Sequence, residues 1–181
     1  MSEPTVIFDA TAIHRALTRI AHEIAERNPN SAEVALVGIP LGGDHLANRL
    51  AKVLATIWNH PVPVGVLDTT LYRDDLHQRV APAVHTTDIA FDVTGKTIVL
   101  VDDVLFSGRT TRAAMDALND FGRARKIQLA VLIDRGHRDL PIKADFVGKN
   151  VPTSLDEKIS LLLTEAGAAQ DEVLLKKEVD R

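Results

Sequence analysis

The sequence contains no cysteine, and this absence excludes several classes of site at once. Without thiols there is no disulfide framework, no zinc–thiolate centre and no cysteine nucleophile. Apolar runs of about 18 residues or more are also missing, so no segment is predicted to span a membrane. The segment Met1–Asp9 lacks a basic stretch followed by an apolar one. We therefore predict no signal peptide and expect a cytoplasmic protein.

The sequence also has no excess of positively charged residues. The sequence has 21 lysines and arginines against 25 aspartates and glutamates, which gives a net charge of −4. This balance excludes a surface coated in positive charge for indiscriminate nucleic-acid binding, although a local basic patch stays possible. The length of 181 residues, with 45% hydrophobic residues, predicts a single globular domain over residues 1–181.

Strands and helices alternate along most of the chain. An amphipathic helix is predicted from Asp9 to Asn28, because apolar residues recur there every three or four positions. The first β–α–β unit then consists of a strand at Val34–Ile39, a helix that Asp44 caps, and a strand at Val62–Leu67. The second consists of a strand at Thr97–Val101, a helix at Thr110–Phe121 and a strand at Ile127–Ile133. This alternation predicts an α/β fold with a doubly wound, mostly parallel sheet.

The other segments are less regular. Residues 70–92 are charged and interrupt the alternation, which favours an extended arm or flap. Asp139–Lys149 has the pattern of a small β or loop region, and Lys158–Leu163 is a further strand candidate. For Asp171–Arg181 the pattern leaves helix and strand equally open.

The strongest chemical signal follows the strand that begins near Ile98. This strand runs into Asp102 and Asp103, and a short loop of hydroxyls and glycine then opens a helix. The carboxylates can accept hydrogen bonds from sugar hydroxyls and can hold the hydration shell of a magnesium ion. Ser107–Thr111 would present backbone amides and hydroxyls at a helix N-terminus, where phosphate binds, and Gly108 permits a close approach. The segment therefore predicts a ribose 5-phosphate site.

Two other phosphate-binding motifs do not fit the sequence. No G-x-x-x-x-G-K-[ST] P-loop occurs, and the spacing of Gly38, Gly42 and Gly43 does not match the dinucleotide fingerprint. One alternative assigns no ligand at all: Asp102 and Asp103 would then belong to an ordinary strand-to-helix connection with a capped helix.

At these residues the sequence resembles the type I phosphoribosyltransferases. More narrowly it resembles the pyrimidine operon regulatory proteins, which are RNA-binding attenuators and uracil phosphoribosyltransferases. The resemblance covers residues 5–155, and its further matching stretches are residues 15–23, 71–76, 128–138 and 148–154. It implies the type I phosphoribosyltransferase fold, with a flap at about 70–92 and a hood formed by about 134–155 and the terminal segments.

The resemblance also implies a reaction, in which uracil and phosphoribosyl pyrophosphate (PRPP) give UMP and diphosphate with Mg²⁺ as cofactor. Asp102 and Asp103 would hold the ribose and, through water, the Mg²⁺ ion. Arg73 of the flap and the loop at Leu41 and Gly42 would meet the pyrophosphate. The 5-phosphate would bind the segment Val104, Leu105, Phe106, Ser107, Gly108, Arg109, Thr110 and Thr111. The base would lie under Ile133, Asp134, Arg135, Gly136 and His137.

Two positions refine these expectations. Purine-specific relatives carry a carboxylate where this chain has Phe106, so the resemblance favours a pyrimidine over hypoxanthine. The narrower family usually reads Thr-Arg-Gly where this chain has Leu41-Gly42-Gly43. A charge-assisted contact to pyrophosphate is therefore missing, and we expect weak or absent catalysis with UMP binding preserved.

The resemblance implies RNA binding by two basic groups. Arg15, Arg19 and His22 share one face of the first helix, with Thr18 beside them, and the second group is Arg138, Lys143 and Lys149. In the family such surfaces join across a homodimer or homotetramer and bind a leader-mRNA stem-loop, with UMP or UTP as the nucleotide ligand. Two alternatives stay open: a merely solvated helix face, and a dedicated salvage phosphoribosyltransferase without RNA regulation.

Overall fold

The central element is a five-stranded parallel sheet. The computed structural model describes residues 4–74 and 84–177. The strands of this sheet are β2 (Val34–Gly38), β3 (Val64–Val66), β4 (Thr97–Leu105), β5 (Lys126–Asp134) and β6 (Phe146–Asn150), in the order β3-β2-β4-β5-β6. All four strand pairings are parallel, as the alternation of strands and helices predicted.

Helices cover both faces of this sheet. The helices α1 (Ala10–Arg27) and α2 (Gly43–Trp58) pack on one face, and α3 (Arg109–Leu118) packs on the other. Successive residues of β4 serve the two sides: Val99 belongs to the core under α1 and α2, whereas Ile98 and Leu100 belong to the core under α3. Burial on both sides explains why these strands read as continuous apolar runs. Among the described residues, no helix has the length and apolar character needed to cross a membrane.

A second, smaller sheet joins the two ends of the chain. It contains β1 (Thr5–Asp9), β8 (Glu172–Lys177) and β7 (Glu157–Leu162), which pair antiparallel in that order. The strand β1 was not predicted from the sequence, because it depends on a partner about 170 residues away. For the last segment, which the pattern left open, the structure shows a strand over the described residues.

Several predicted boundaries differ from the structure. The strand β4 continues past Val101 to Leu105, because its ladder with β5 extends to the pair Leu105 and Asp134. The predicted small β or loop region contains β6, a strand of the central sheet. The cap of α2 is Gly42, while Asp44 lies in the first turn of that helix. Residues 75–83 of the predicted flap lie outside the described residues.

Arg49 of α2 forms an ionic clasp with two carboxylates of the connection between β7 and β8. Arg49 donates to both carboxylate oxygens of Glu165, at 2.7 and 2.5 Å, and to Asp171 at 2.6 Å. Hydrogen bonds from Arg49 lower the pKa of the Glu165 carboxyl to about 2, against an opposing effect of burial. The clasp fixes the β7–β8 connection against the helix that follows β2.

This clasp predicts a pH-dependent contribution to stability. Because the pKa of Glu165 is depressed in the folded protein, its contribution is complete above the ordinary carboxyl pKa and disappears as the pH falls towards 2. We expect Arg49→Met to destabilise the protein by about 1 kcal/mol at pH 7, after allowance for solvent screening. Thermal unfolding at pH 7 and near pH 2.5 measures the difference, which should shrink at the lower pH.

The exposed Arg123, which makes no ion pair within the described residues, supplies the matched control. Arg123→Met should leave the unfolding temperature unchanged at both pH values. An Arg49→Met variant with an unchanged midpoint at pH 7, or with an equal loss at both pH values, would contradict the assigned role of the clasp.

Candidate functional site

Two adjacent carboxylates, of the buried Asp102 and the half-buried Asp103, form the centre of the candidate site near the carboxyl end of β4. Asp102 is 7% exposed, and one of its oxygens accepts the amide N–H of Asp103 at 2.9 Å. Asp103 in turn accepts the amide N–H of Val104 at 2.7 Å. The carboxylates therefore occupy the edge of the sheet where ligands bind in such folds.

Burial raises the pKa of both carboxyls. For Asp102 the pKa lies well above its ordinary value, because burial disfavours the charged form and the Asp103 carboxylate adds repulsion. Arg73 opposes this rise in the pKa of Asp102 through its positive charge. Burial is also the first cause of the raised pKa of Asp103. A cation or hydroxyl groups brought to this pair would compensate the lost hydration.

The loop between β2 and α2 approaches this pair closely. A Cβ atom at Gly43 would lie 2.2 Å from the carbonyl oxygen of Val101, and one at Gly42 would lie 3.2 Å from the Asp103 carboxylate. Only glycine permits this approach at position 43. The neighbouring Leu41 is 74% exposed, and its apolar side chain brings no positive charge to the site.

Asp44, which was predicted only as a helix cap, also faces this loop. Its carboxylate accepts the amide N–H of Gly42 at 2.9 Å, so this donor is already engaged within the protein. The negative charge of Asp44 contributes to the raised pKa of Asp103. Residues 39–44 therefore offer a ligand one carboxylate and no positive charge.

The segment 104–111 runs from the end of β4 through a turn at residues 106–108 into the first turn of α3. Gly108 adopts a φ of 90°, and the carbonyl oxygen of Ser107 accepts amides from Asp139 and Leu140. Thr111 is 3% exposed, yet its hydroxyl has no partner within the described residues. A buried hydroxyl without a partner is costly, and a phosphate oxygen at the amino end of α3 would satisfy it.

Arg73 reaches this turn from the stem of the predicted flap, a name used here for its described residues 70–74 and 84–92. Its guanidinium donates to the hydroxyl of Thr110, and its charge acts on Asp102. Arg73 therefore interacts with both the turn and the carboxylate pair. Arg109, by contrast, directs its side chain to Asp74 at 2.8 Å and Asp139 at 3.1 Å, which leaves its backbone at the turn.

The stem of the flap is held in place by Asp68, which the sequence analysis missed. One carboxylate oxygen accepts the amide and the hydroxyl of Thr70, at 2.9 and 2.6 Å, and the other accepts the amide of His85 at 2.7 Å. Tyr72 donates to Asp120 after α3. Asp68 therefore ties both sides of the stem to the end of β3.

The predicted base-binding residues surround the ring of Phe106. The guanidinium of Arg135 lies 4.3 Å from the ring centroid, and the His137 ring meets it edge-on at 6.1 Å. Arg135 is 7% exposed and also donates to the Thr153 hydroxyl at 2.9 Å, while His137 contacts the Thr153 carbonyl. Gly136 and His137 both have positive φ, and Ile133 is fully buried below them. Thr153 itself was found only as part of the matching stretch 148–154.

The structure groups the predicted basic residues differently, because it brings Lys149 close to the first group. Arg19 donates to the carbonyls of Val147 and Gly148, and Lys149 on the same strand lies near α1. Arg138 instead donates to the Asp134 carboxylate, to two carbonyl oxygens in the hood and to the carbonyl oxygen of Phe106. Lys143 is exposed and follows Ile142, which packs on the α3 side. Thr18 and His22 lie on α1 beside Arg19, and Thr18 donates to the carbonyl of His14.

The carboxylate pair is the candidate position for a metal ion. Within residues 4–74 and 84–177, no three metal-ligating side chains gather into a common site. Two adjacent buried carboxylates fit a hard cation such as Mg²⁺, which keeps several waters and uses ligand phosphates. Asp102 and Asp103 would hold it, with water and ligand oxygens completing the coordination.

Known proteins resemble this chain closely in sequence. A phosphoribosyl transferase domain model matches residues 5–158. The chain is 64% identical over 170 residues to the "Bifunctional protein PyrR" of Roseiflexus sp. (strain RS-1), with 93% of each chain covered. It is 57% identical over 177 residues to the "Bifunctional protein PyrR" of Chloroflexus aurantiacus, with 97% of each covered.

Solved structures show the same fold at low identity. The hypoxanthine phosphoribosyltransferase of Trypanosoma cruzi superposes with a TM-score of 0.71 over 96% of each chain, at 16% identity. A hypoxanthine-guanine phosphoribosyltransferase of Bacillus anthracis gives a TM-score of 0.68 at 17% identity, covering 84% of this chain and 86% of that one. At these identities the likeness shows the type I fold alone.

The unsatisfied hydroxyl of Thr111 generates a prediction. Thr111→Val keeps the shape of the side chain and removes a buried polar group, so the thermal midpoint should stay equal or rise slightly. Calorimetry with ribose 5-phosphate should show affinity about tenfold lower, because a hydrogen bond to a charged group contributes about 1.5–3 kcal/mol. Unchanged affinity would place the phosphate elsewhere. Thr97→Val, at the opposite end of β4, is the matched control.

Proposed function

The chain belongs to the phosphoribosyltransferase family, and from this premise we propose that it regulates pyrimidine biosynthesis genes and makes UMP. In this proposal it binds a leader mRNA in response to UMP or UTP, and it converts uracil and PRPP into UMP and diphosphate. Two observations carry the nucleotide part: the adjacent carboxylates of the buried Asp102 and the half-buried Asp103, and the unsatisfied hydroxyl of Thr111 in the first turn of α3.

The site divides between the parts of the nucleotide. The ribose hydroxyls would donate to Asp102 and Asp103, and the 5-phosphate would accept from Thr111 and the turn that precedes α3. The base would lie against the backbone of residues 133–137. Since the carboxyl ends of β4 and β5 are adjacent, a single mononucleotide can reach all three regions.

The chemistry is a substitution at the anomeric carbon of the ribose. The bond from this carbon to the pyrophosphate oxygen breaks as the bond to the uracil nitrogen forms, and the departing diphosphate takes up the proton that this nitrogen loses. Positive charge develops on the ribose, and the carboxylates of Asp102 and Asp103 would stabilise it from the ribose hydroxyls that they bind. Arg73 would neutralise charge on the departing pyrophosphate. Mg²⁺, when bound at the carboxylates, supplies further charge neutralisation to the leaving group.

The surroundings of Phe106 favour a pyrimidine base. Its ring packs against Arg135 and His137, and position 106 offers no carboxylate to a purine. Salvage of hypoxanthine would require such a polar partner. A dedicated uracil salvage enzyme without RNA regulation stays the second candidate, because the same nucleotide site would serve both functions.

The β2–α2 loop indicates that nucleotide binding outweighs catalysis. Leu41 carries no charge, and the Asp44 carboxylate occupies the amide of Gly42 and adds negative charge next to the leaving group. Both features weaken pyrophosphate binding and leave the mononucleotide part of the site intact. We therefore expect UMP binding with a slow transferase reaction, measured as conversion of radiolabelled uracil in the presence of PRPP and Mg²⁺.

Positive charge added beside position 42, where the family's arginine aligns, should increase activity; Leu41 is the site chosen because Gly42 has a φ of 133°, which disfavours a side chain. We expect Leu41→Arg to raise kcat/KM for PRPP about tenfold or more, because one charge-assisted contact contributes about 1.5–3 kcal/mol. Asp44→Asn keeps the acceptor for Gly42 and removes the charge, so it should act in the same direction. Leu162→Arg, on the exposed side of β7, is the control. A fast wild-type enzyme that neither substitution improves would contradict this account of the loop.

The RNA part of the proposal is supported by cations along α1 and β6. Arg15 and His22 are exposed on α1, and Lys149 of β6 lies on the same side of the sheet. Arg138 and Lys143 stay predicted RNA contacts, although the guanidinium of Arg138 is occupied within the hood. A homodimer or homotetramer would join two such faces into one basic surface in the cytoplasm, and oligomeric state is measurable by sedimentation.

Arg15 provides the test of this surface. RNA hairpins selected from a randomised-loop pool against the wild-type protein with UMP serve as the probe. Arg15→Gln should weaken their binding about fivefold and reduce the salt dependence by about one phosphate contact, without changing UMP affinity. Arg123→Gln, the same substitution at another exposed arginine, is the control. Failure to select any binding hairpin would remove the regulatory function and leave the salvage enzyme.

A further inference from the structure

A groove opens on the α1 side of the central sheet, beside the small sheet. Its volume is about 500 Å³, within the range of sites that hold small organic groups, about 300–1,000 Å³. The residues that line it are Phe8, Asp9, Thr11, Ala12, Arg15, Ala16, Arg19 and Gly148. Neither the carboxylate pair nor the turn before α3 takes part in it.

The groove combines an aromatic ring with cations. Phe8 is half-buried, and the ammonium of Lys149 lies 5.0 Å from its ring centroid. Arg15 is exposed and makes no hydrogen bond or ion pair within the described residues. Arg19 is fixed across the groove by the carbonyls of Val147 and Gly148, at 3.2 and 2.5 Å. Because Arg19 also forms an ion pair with Glu23 at 2.9 Å, the positive charge that the rim offers to a ligand comes from Arg15 and Lys149.

The helix end itself does not provide the attraction. Asp9 caps α1 and accepts the amide of Ala12 at 2.7 Å, so the first turn is satisfied within the protein. The Asp9 carboxylate disfavours a phosphate inside the groove and can accept a hydrogen bond from an exocyclic amino group. A flat heterocycle fits this chemistry better than an anion does.

We propose that this groove holds one unpaired nucleobase of a bound RNA, with the flanking phosphates on Arg15 and Lys149. The inference rests on the proposed RNA-binding function and adds the place where a base is read. Proteins that recognise RNA loops take up extruded bases against aromatic rings and pair cations with the adjacent phosphates. Phe8 supplies the ring, and Ala12 and Ala16 leave room beside it.

Two substitutions test the groove without altering its charge. Ala12→Met fills it with a helix-compatible side chain, and Phe8→Leu removes the ring while keeping an apolar residue. Each should weaken binding of the selected hairpins about tenfold, with the salt dependence unchanged because phosphate contacts are retained. Ala55→Met on α2 and Phe121→Leu after α3 are the matched controls and should bind as the wild type does.

A second measurement does not depend on the variants. Hairpins with 4-thiouridine at single loop positions should crosslink from one unpaired position to the peptide that contains residues 5–16. Calorimetry with UMP and thermal unfolding check that each variant is folded. Crosslinks confined to other peptides, or folded variants with wild-type RNA affinity, would overturn the inference even though RNA binding stands.

Other outcomes separate the groove from the function on which it rests. If no hairpin binds the wild-type protein, the regulatory function fails and the groove proposal fails with it. If Ala12→Met changes the sedimentation of the protein and leaves RNA affinity intact, a second copy of the chain occupies the groove and the proposal is wrong.

Discussion

Burial of two adjacent carboxylates at the end of β4 is the constraint on which the site depends. Asp102 and Asp103 lose most of their hydration, and the backbone amides of residues 103 and 104 replace only part of it. The sheet, the glycine loop and Arg73 converge on this pair. In the proposed function, the hydroxyls of a ribose would donate the hydrogen bonds that replace this lost hydration.

The parallel sheet explains how distant segments meet at this pair. The loop after β2, the turn after β4 and the segment after β5 all leave from the same edge. Each carries a different task in the proposed reaction: the leaving group, the phosphate and the base. Asp68, at the end of β3, adds the stem of the flap to the same edge.

Much of the fold and the centre of the site could be predicted, because they depend on local patterns. Apolar runs, helical periodicity and the pair Asp102 and Asp103 are visible in the sequence. The strand β1 and the roles of Asp44 and Arg138 were missed, because each depends on a contact that only the folded chain creates. Thr111 was chosen from its position after Gly108, but the lack of a partner for its hydroxyl is visible only in three dimensions.

The hydrogen bonds of Arg19 link two regions that the reaction and the regulation use separately. Arg19 holds α1 to the carbonyls of Val147 and Gly148, and two residues further along β6 Asn150 pairs with Asp134 at the start of the hood. A displacement of β6 therefore moves both surfaces together. If a nucleotide under the hood strengthens RNA binding through this strand, thermodynamic reciprocity requires the RNA to tighten the nucleotide by an equal factor. The messenger would then act as an effector of the enzyme.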